Sequence, residues 1–339
     1  MNDEFFLNLA IREAWKYQFL TLPNPAVGAC VVDKNGKILA VGAHKKCGQN
    51  HAEVEAIKQA VLNSSLAQDL RQKLSLIKNL DELHFFFVKE SKGLFEGGSI
   101  FVSLEPCDHY GKTPSCSKLI KDLGIKRVVF AQQDKKNGGS KFLRSCGIEC
   151  KHNPTEEARS LLEPFLLYQK KNFVLFKFAQ RLNGSYDKGQ ISCEKSQILV
   201  HKIRSICDLI VIGGNTARID KPILDARLVS TKAPNVLIVS KTKNIPKNIP
   251  FFNVPERKVF IEDNFDKLQD YKFVLIEGGQ NFYEIAKPYI DKFLIFQSPS
   301  AKCGRSFNSL ELEYDFVEKS GEDLKIIASN KKHSKILNG

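Results

Sequence analysis

The sequence predicts an α/β protein built from two layered domains. Three observations carry this: 339 residues with 42% apolar content, an opening of one helix and a hairpin followed by helices alternating with short apolar strands, and a second strand-rich half after Asn153-Pro154. That length can bury two cores, and helices alternating with strands produce sheets covered by helical layers.

Residues 4 to 18 bring Phe5, Leu9, Ile11, Ala14 and Trp15 round at helical intervals, so an amphipathic helix opens the chain. AVGACVV and ILAVGA then flank DKNGK, whose Asn35-Gly36 pair is the strongest short-range hairpin signal. AEVEAIKQAVLN reads as a second helix starting just after His51, and SIFVSL (99 to 104) as a buried strand ending at Glu105-Pro106. Pro114 and Ser115 start a third helix running to Leu123, followed by the strand KRVVFA and a further helix and strand in SKFLRSCGIEC. Residues 63 to 98 interrupt this order with QDLRQKLSLIKNL and LHFFFVKE, an insertion with secondary structure of its own. TEEARSLLEPFLLYQKK is a connecting helix within 153 to 171, dividing a first domain (1 to 152) from a second (172 to 339). The second domain has the strands NFVLFKFA, DLIVIGG, NVLIVS, KVFIE, FVLIEGG and KFLIFQ, with helices near 194 to 206 and 280 to 289. The basic tail NKKHSKILNG is expected to fray.

Composition excludes several classes. The N-terminus carries early acidic residues and lacks a basic start and a cleavage site, and no apolar run reaches the roughly 18 residues of a membrane span, so a soluble cytoplasmic protein without membrane contact is expected. Nine cysteines, an odd number, argue against a disulfide framework and leave metal binding, catalysis or core packing. The net charge of +13 is spread along the chain rather than gathered into a basic stripe with interleaved aromatics. It reads as a solvated surface that also suits phosphorylated small molecules, not nucleic acid.

Two constellations carry chemistry. In the first, HAEVEA puts His51 and Glu53 at a helix start and EPC puts Cys107 just past a strand. Cys116 falls in the first turn of the next helix, where the helix dipole favours a thiolate. One imidazole and two thiolates make a tetrahedral zinc site with a fourth position open, the catalytic rather than the closed pattern. Zinc lowers the pKa of a bound water to about 7, and Glu53, which is not a ligand, is placed to move protons between that water, a ring nitrogen and departing ammonia. This is the order of the zinc deaminases, except that their cysteines enclose two residues and Cys107 and Cys116 enclose eight, DHYGKTPS. Either motif alone says little, since buried free cysteines are commonly inert; their combination is specific.

In the second, no GxGxxG opens the second half, so a Rossmann fingerprint is absent. Instead IGGNT (212 to 216) and IEGGQNF (276 to 282) each follow a buried-looking strand, and the second opens a helix whose free N–H groups suit a cofactor phosphate. RIDKPILDAR adds Asp220 and Arg227 around a proline turn, and Arg204 on the preceding helix can reach a substrate phosphate.

PNPAVG (23 to 28), GAH (42 to 44), HAE (51 to 53) and LEPCDHYGKTPSC (104 to 116) resemble the deaminase half of the bifunctional riboflavin-biosynthesis deaminase/reductase family. KFAQRLNGS, ICDLIVIGGNTARIDKPILDAR and FVLIEGGQNF resemble its reductase half, in family order. The resemblance implies a cytidine-deaminase-like three-layer domain followed by a dihydrofolate-reductase-like domain, the cofactors zinc (Zn2+) and NADPH, a phosphorylated pyrimidine substrate and a homo-oligomer. It implies that His51, Cys107 and Cys116 hold the metal, that Glu53 is catalytic, and that Asn24, His44, His109 and Lys112 meet the deamination substrate. In the second half it gives the cofactor Ala179, Thr216, Asp220, Gly279, Gln280, Asn281, Phe282, Tyr283, Glu284 and Ile285, and gives the substrate Arg204, Leu224, Arg227 and Glu277. The chain departs from the family at Arg181-Leu182-Asn183-Gly184, where Ser-Leu-Asp-Gly is usual, and the following SYDKGQIS is short and lacks the usual tryptophan. The rival readings are a deaminase with a degenerate second half, a deaminase acting on tRNA or another nucleic acid, and a purely structural zinc. The absence of an aromatic stacking platform disfavours nucleic acid, and Glu53 beside an open coordination position disfavours a structural role.

Overall fold

The computed structural model describes residues 2–65, 67–77, 79–109 and 115–331, and the chain forms two compact units, Met1–Phe165 and Leu166–Gly339. In the first unit, helix α1 (Asp3–Trp15) begins at Asn2, whose side chain accepts from the Phe5 amide at 3.3 Å. The hairpin β1 (Gly28–Val32) and β2 (Ile38–Ala43) turns through Gly36 at φ 88°, the left-handed conformation that Asn-Gly favours. Then follow α2 (Ala52–Asn63), α3 (Ala67–Leu76), α4 (Leu80–Phe95), β3 (Ser99–Val102), α5 (Cys116–Asp122), β4 (Arg127–Phe130), α6 (Ser140–Ser145) and β5 (Glu149–His152).

The five strands lie in the order β2-β1-β3-β4-β5, antiparallel at β2-β1-β3 and parallel from β3 to β5. The pleat sends alternate residues to opposite faces. Ala29, Val31, Ile100, Val102, Val128 and Phe130 face a core shared with α2, α4, α5 and α6, while Phe101 meets Phe6 of α1 with ring centroids 4.8 Å apart on the other face. Helix, sheet and helix make the three layers. The insertion belongs to this core: Leu83, Phe87 and Phe95 of α4 are buried, and His84 Nε2 donates to Asp122 Oδ2 of α5 at 3.1 Å. The aromatic run at 84–88 is thus helical, with Phe87 buried and Phe85 exposed.

Asp3 closes the outer layer. Its carboxylate is 8% exposed and accepts from Arg127 Nη1 at 2.8 Å, Arg127 Nη2 at 2.9 Å and Lys151 Nζ at 2.8 Å. The Arg127 guanidinium holds this carboxyl at about 2, below its ordinary 3.8. A lowered carboxylate adds stability that is present above the unfolded value and disappears as pH falls through the folded one. Wild-type protein should therefore exceed Asp3→Asn by about 2 kcal/mol in urea unfolding at neutral pH, with the gap closing between pH 3.8 and about 2. A pH-independent gap would assign the effect to packing.

Next along the chain comes α7 (Glu156–Lys170), with Pro164 inside it. The second unit contains β6 (Phe173–Arg181), α8 (Glu194–Arg204), β7 (Leu209–Gly213), α9 (Gly214–Asp220), β8 (Asn235–Val239), β9 (Val259–Glu262), β10 (Phe273–Glu277), α10 (Gln280–Ala286), β11 (Lys292–Ser298), β12 (Leu312–Ser320) and β13 (Asp323–Asn330). Its eight strands follow the order β12-β13-β11-β6-β10-β7-β8-β9, parallel from β11 to β9 and closed at one edge by the antiparallel β12–β13 hairpin. This hairpin lies beyond the last strand expected from sequence, and Asp315 sits where its register shifts, turned onto Lys292 Nζ at 3.0 Å. Residues 332–339, most of the tail expected to fray, lie outside the described residues.

Candidate functional site

In the first unit, β2 and α2 pack backbone to backbone: a Cβ on Gly42 would stand 2.4 Å from the Ala56 amide nitrogen. This close approach sets the first turn of α2 beside the ends of β1 and β3. His51 is the N-cap of α2 but makes no side-chain capping bond, which leaves its imidazole free for other partners. Cys107 follows β3, and its carbonyl accepts from the Ser117 amide and the Ser115 hydroxyl, both at 3.1 Å, anchoring the start of α5 and with it Cys116.

His51 Nδ1 lies 3.6 Å from Cys107 Sγ and 3.4 Å from Cys116 Sγ, and all three donor atoms are within 4.8 Å of one another. With zinc–sulfur and zinc–nitrogen bonds of about 2.3 and 2.0 Å, tetrahedral angles put such donors about 3.5 Å apart, so the set fits the metal. The hydrogen bond from the Cys116 thiol, with His51 adding to it, draws Cys107 down to about 4, while that same bond and burial push Cys116 upward. A divalent cation supplies the charge that a second thiolate needs.

Glu53 is 4% exposed, and burial, followed by the charge of Cys107, pushes its carboxyl up to about 7. Asn24 and His44 join the same cluster: Asn24 Nδ2 donates to His44 Nε2 at 3.2 Å, and His44 Nδ1–H donates to the Asn50 carbonyl at 2.8 Å. Burial lowers the proton affinity of His44, consistent with this neutral tautomer, and its ring stands edge-on to His51 at 5.9 Å. His109 is exposed two residues past Cys107, and Lys112 lies outside the described residues. Sequence reasoning passed over Glu105. Its buried carboxylate accepts from the Asp134 amide at 3.2 Å and the Ser140 amide at 2.9 Å, fastening residues 134–140 beside Cys107. The only signal for it was its place in the EPC triplet.

In the second unit the two glycine turns follow β7 and β10, which are neighbours in register, with Ile212 beside Glu277. Both turns therefore open at the carboxyl ends of adjacent parallel strands, where α/β sheets bind ligands. Gly214 begins α9, and Thr216 and Asp220 lie along that helix. Gly279 is the N-cap of α10, and a Cβ there would fall 2.5 Å from the Tyr186 ring. Gln280 Nε2 donates to Glu284 Oε1 at 2.6 Å, and Asn281 and Ile285 are exposed. Phe282 and Tyr283 turn their rings into the core, so only their backbones remain for a cofactor. Ala179 is on β6, two strands from β7.

Arg204 meets Glu277 in a fork: Nε to Oε1 at 3.0 Å, and Nη2 to Oε1 at 2.8 Å and to Oε2 at 3.0 Å. Burial works to raise the Glu277 carboxyl, but Arg204 and Lys177 overcome it and hold the group below the usual range. Lys177, which sequence reasoning missed, is the direct neighbour of Glu277 across β6 and β10, and burial lowers its ammonium against the pull of Glu277. Leu224 is buried at φ 57°, and Arg257 grips the carbonyls of Ile223, Leu224 and Pro234. Arg227 Nη1 reaches Asp225 Oδ1 at 2.6 Å from an exposed position. Arg181, at the departure from the family pattern, donates to the carbonyls of Asp187 at 2.6 Å and Lys188 at 3.0 Å, folding the short loop onto β6.

Comparison with known proteins agrees with both halves. Residues 1–132 match the family described as cytidine and deoxycytidylate deaminase zinc-binding region, and residues 174–299 match the RibD C-terminal domain. The riboflavin biosynthesis protein RibD of Aquifex aeolicus is 32% identical over 304 residues, 84% of this chain and 76% of that protein. RibD of Mycobacterium tuberculosis is 28% identical over 352 residues, 94% of each chain. The crystal structure of a diaminohydroxyphosphoribosylaminopyrimidine deaminase/5-amino-6-(5-phosphoribosylamino)uracil reductase from Thermotoga maritima is 27% identical and covers 97% of this chain and 98% of its own, with a TM-score of 0.61. With a deaminase-type donor triangle in one unit and a reductase-type pair of glycine turns in the other, this chain belongs to the RibD family of riboflavin biosynthesis proteins.

Proposed function

We propose that the chain deaminates the diamino-ribosylamino-pyrimidinone 5′-phosphate in its first domain, residues 1–152, and reduces the ribosyl group of the product to ribityl in its second, residues 172–339, with 153–171 as connector. The observation that carries the reading is the His51, Cys107 and Cys116 triangle with Glu53 buried beside it but outside the donor set. Bound zinc would supply an acidified water at the position that the three donors leave open. Glu53 takes a proton at its carboxylate, returns it to the pyrimidine ring nitrogen, and moves a second to the departing ammonia. Asn24 and His44, locked to each other at 3.2 Å, orient the ring, and His109 and Lys112 on the cysteine loop meet the ribose phosphate.

NADPH would supply hydride in the second domain, held by Ala179, Thr216, Asp220 and the turn from Gly279 to Ile285. Positioning supplies most of the catalysis there: Arg204 and Arg227 bind phosphate, Leu224 borders the substrate, and the Lys177–Glu277 pair moves the proton that accompanies the hydride. Nine free thiols suit a cytoplasmic location, and no described helix is long and apolar enough to cross a membrane. A second copy of the chain is the expected partner.

The test is to give the purified protein the pyrimidinone phosphate, with and without NADPH, while following ammonia and nicotinamide absorbance. Ammonia should appear in both cases and nicotinamide oxidation should follow it. Ammonia without oxidation would leave a deaminase joined to an inactive second domain, and ammonia that requires a polynucleotide would make the chain a nucleic-acid enzyme.

A further inference from the structure

Helix α8 carries His201 and Arg204 in its last turn, one turn apart and on one face. Arg204 is committed to Glu277, and Arg227 holds Asp225. His201 is different. It is 6% exposed, and its Nδ1 is buried without a hydrogen-bond partner among the described residues. Native folds seldom keep an unmatched buried polar atom without a use for it.

The charges facing this ring come from each element around it: Arg204 on its own helix, Arg227 and Asp225 on the segment after α9, and Glu277 at the end of β10. The two acids are taken by the two arginines. Burial first, then Arg204 and Arg227, depress the proton affinity of the imidazole and keep it neutral.

We propose that His201 is the third member of an anion clamp with Arg204 and Arg227, and that it takes up one proton from solvent when a phosphorylated sugar settles against the two arginines. This rests on the reading that those arginines bind substrate phosphate. A phosphate dianion offsets the two cations facing the ring and favours the imidazolium form. Both ring nitrogens then become donors, which gives Nδ1 a charge-assisted role in place of an unmatched lone pair. No covalent bond changes; the proton moves from buffer to the ring and returns on release.

The experiment is calorimetric titration of the full, zinc-loaded chain with ribose 5-phosphate at about pH 7.5, in two buffers of different ionisation enthalpy. Wild type should take up about 0.5 to 1 proton per ligand. His201→Phe should lose that uptake and bind about tenfold more weakly, one pKa unit's worth of linkage. If His201→Phe melts higher and binds with unchanged affinity and proton count, Nδ1 is only a packing defect and the proposal fails. Should that variant not fold, the imidazole NMR signal of His201 in wild type decides: its titration midpoint must rise on adding ribose 5-phosphate, and an unmoved midpoint overturns the clamp. If wild type shows no affinity for ribose 5-phosphate, the phosphate reading beneath it is wrong as well.

Discussion

Glu53→Gln should abolish ammonia release, by about 10² to 10⁴-fold, while zinc content and NADPH oxidation on previously deaminated substrate stay at wild-type levels. Glutamine keeps the shape of a side chain that is 4% exposed, and its amide oxygen can still accept from Cys116, so neither fold nor metal content should suffer. What it removes is the ability to accept a proton. Burial and Cys107 bring the carboxyl to about 7, and the positive charge of a bound metal would pull it downward into the ionised, proton-accepting form. The measurement is ammonia release alongside metal content by atomic absorption. Normal deamination by a zinc-replete Glu53→Gln protein would remove Glu53 from the mechanism. Lost deamination together with lost zinc would show that it acts on the site's structure instead.

Glu277→Gln should suppress NADPH oxidation and also destabilise the second unit, by about 3 kcal/mol, because it strands Arg204 and Lys177 as unpaired cations in a poorly hydrated place. Their side chains leave little room for solvent to help: Arg204 and Glu277 are 13% and 15% exposed. Replacing the partner as well, as Glu277→Gln with Arg204→Met, should return most of the stability and none of the reductase activity. Urea unfolding and NADPH consumption on the same preparations separate the two effects. A double variant that oxidises NADPH at the wild-type rate would make the ion pair a structural element only. Deamination should proceed in both variants, since every residue assigned to it lies in the other unit.

Much of this was legible in the chain. Asn35-Gly36 announced the first hairpin, and apolar runs such as SIFVSL and DLIVIGG marked buried strands because a strand covered on both faces needs no polar alternation. The triangle of His51, Cys107 and Cys116 was legible because a metal site demands particular atoms at particular element ends. Three features were not. The β12–β13 hairpin, LEYDFVEKS and DLKIIASN, mixes charges into its strands since β12 is an edge strand, which hides it from an apolar-run criterion. Lys177 looks like one lysine in an apolar run, and only the β6–β10 register reveals the carboxylate beside it. His201 is one polar residue on a mixed helix, and its unmatched nitrogen is a property of packing alone.

Cys116 opens a helix of seven residues, too short to hold a position by itself, and α4 steadies it through His84 and Asp122. A donor triangle fixed in this way would sort metals by geometry as well as by affinity. Copper(II) binds nitrogen and sulfur more tightly than zinc does but prefers a tetragonal arrangement, and reaching it would require α2, the end of β3 and α5 to move against the packed α4. Zinc, with no geometric preference of its own, would fit the triangle as it stands. The insertion at 63–98, which lies between His51 and Cys107 in sequence and supplies none of the three donors, would therefore bear on which metal the site keeps.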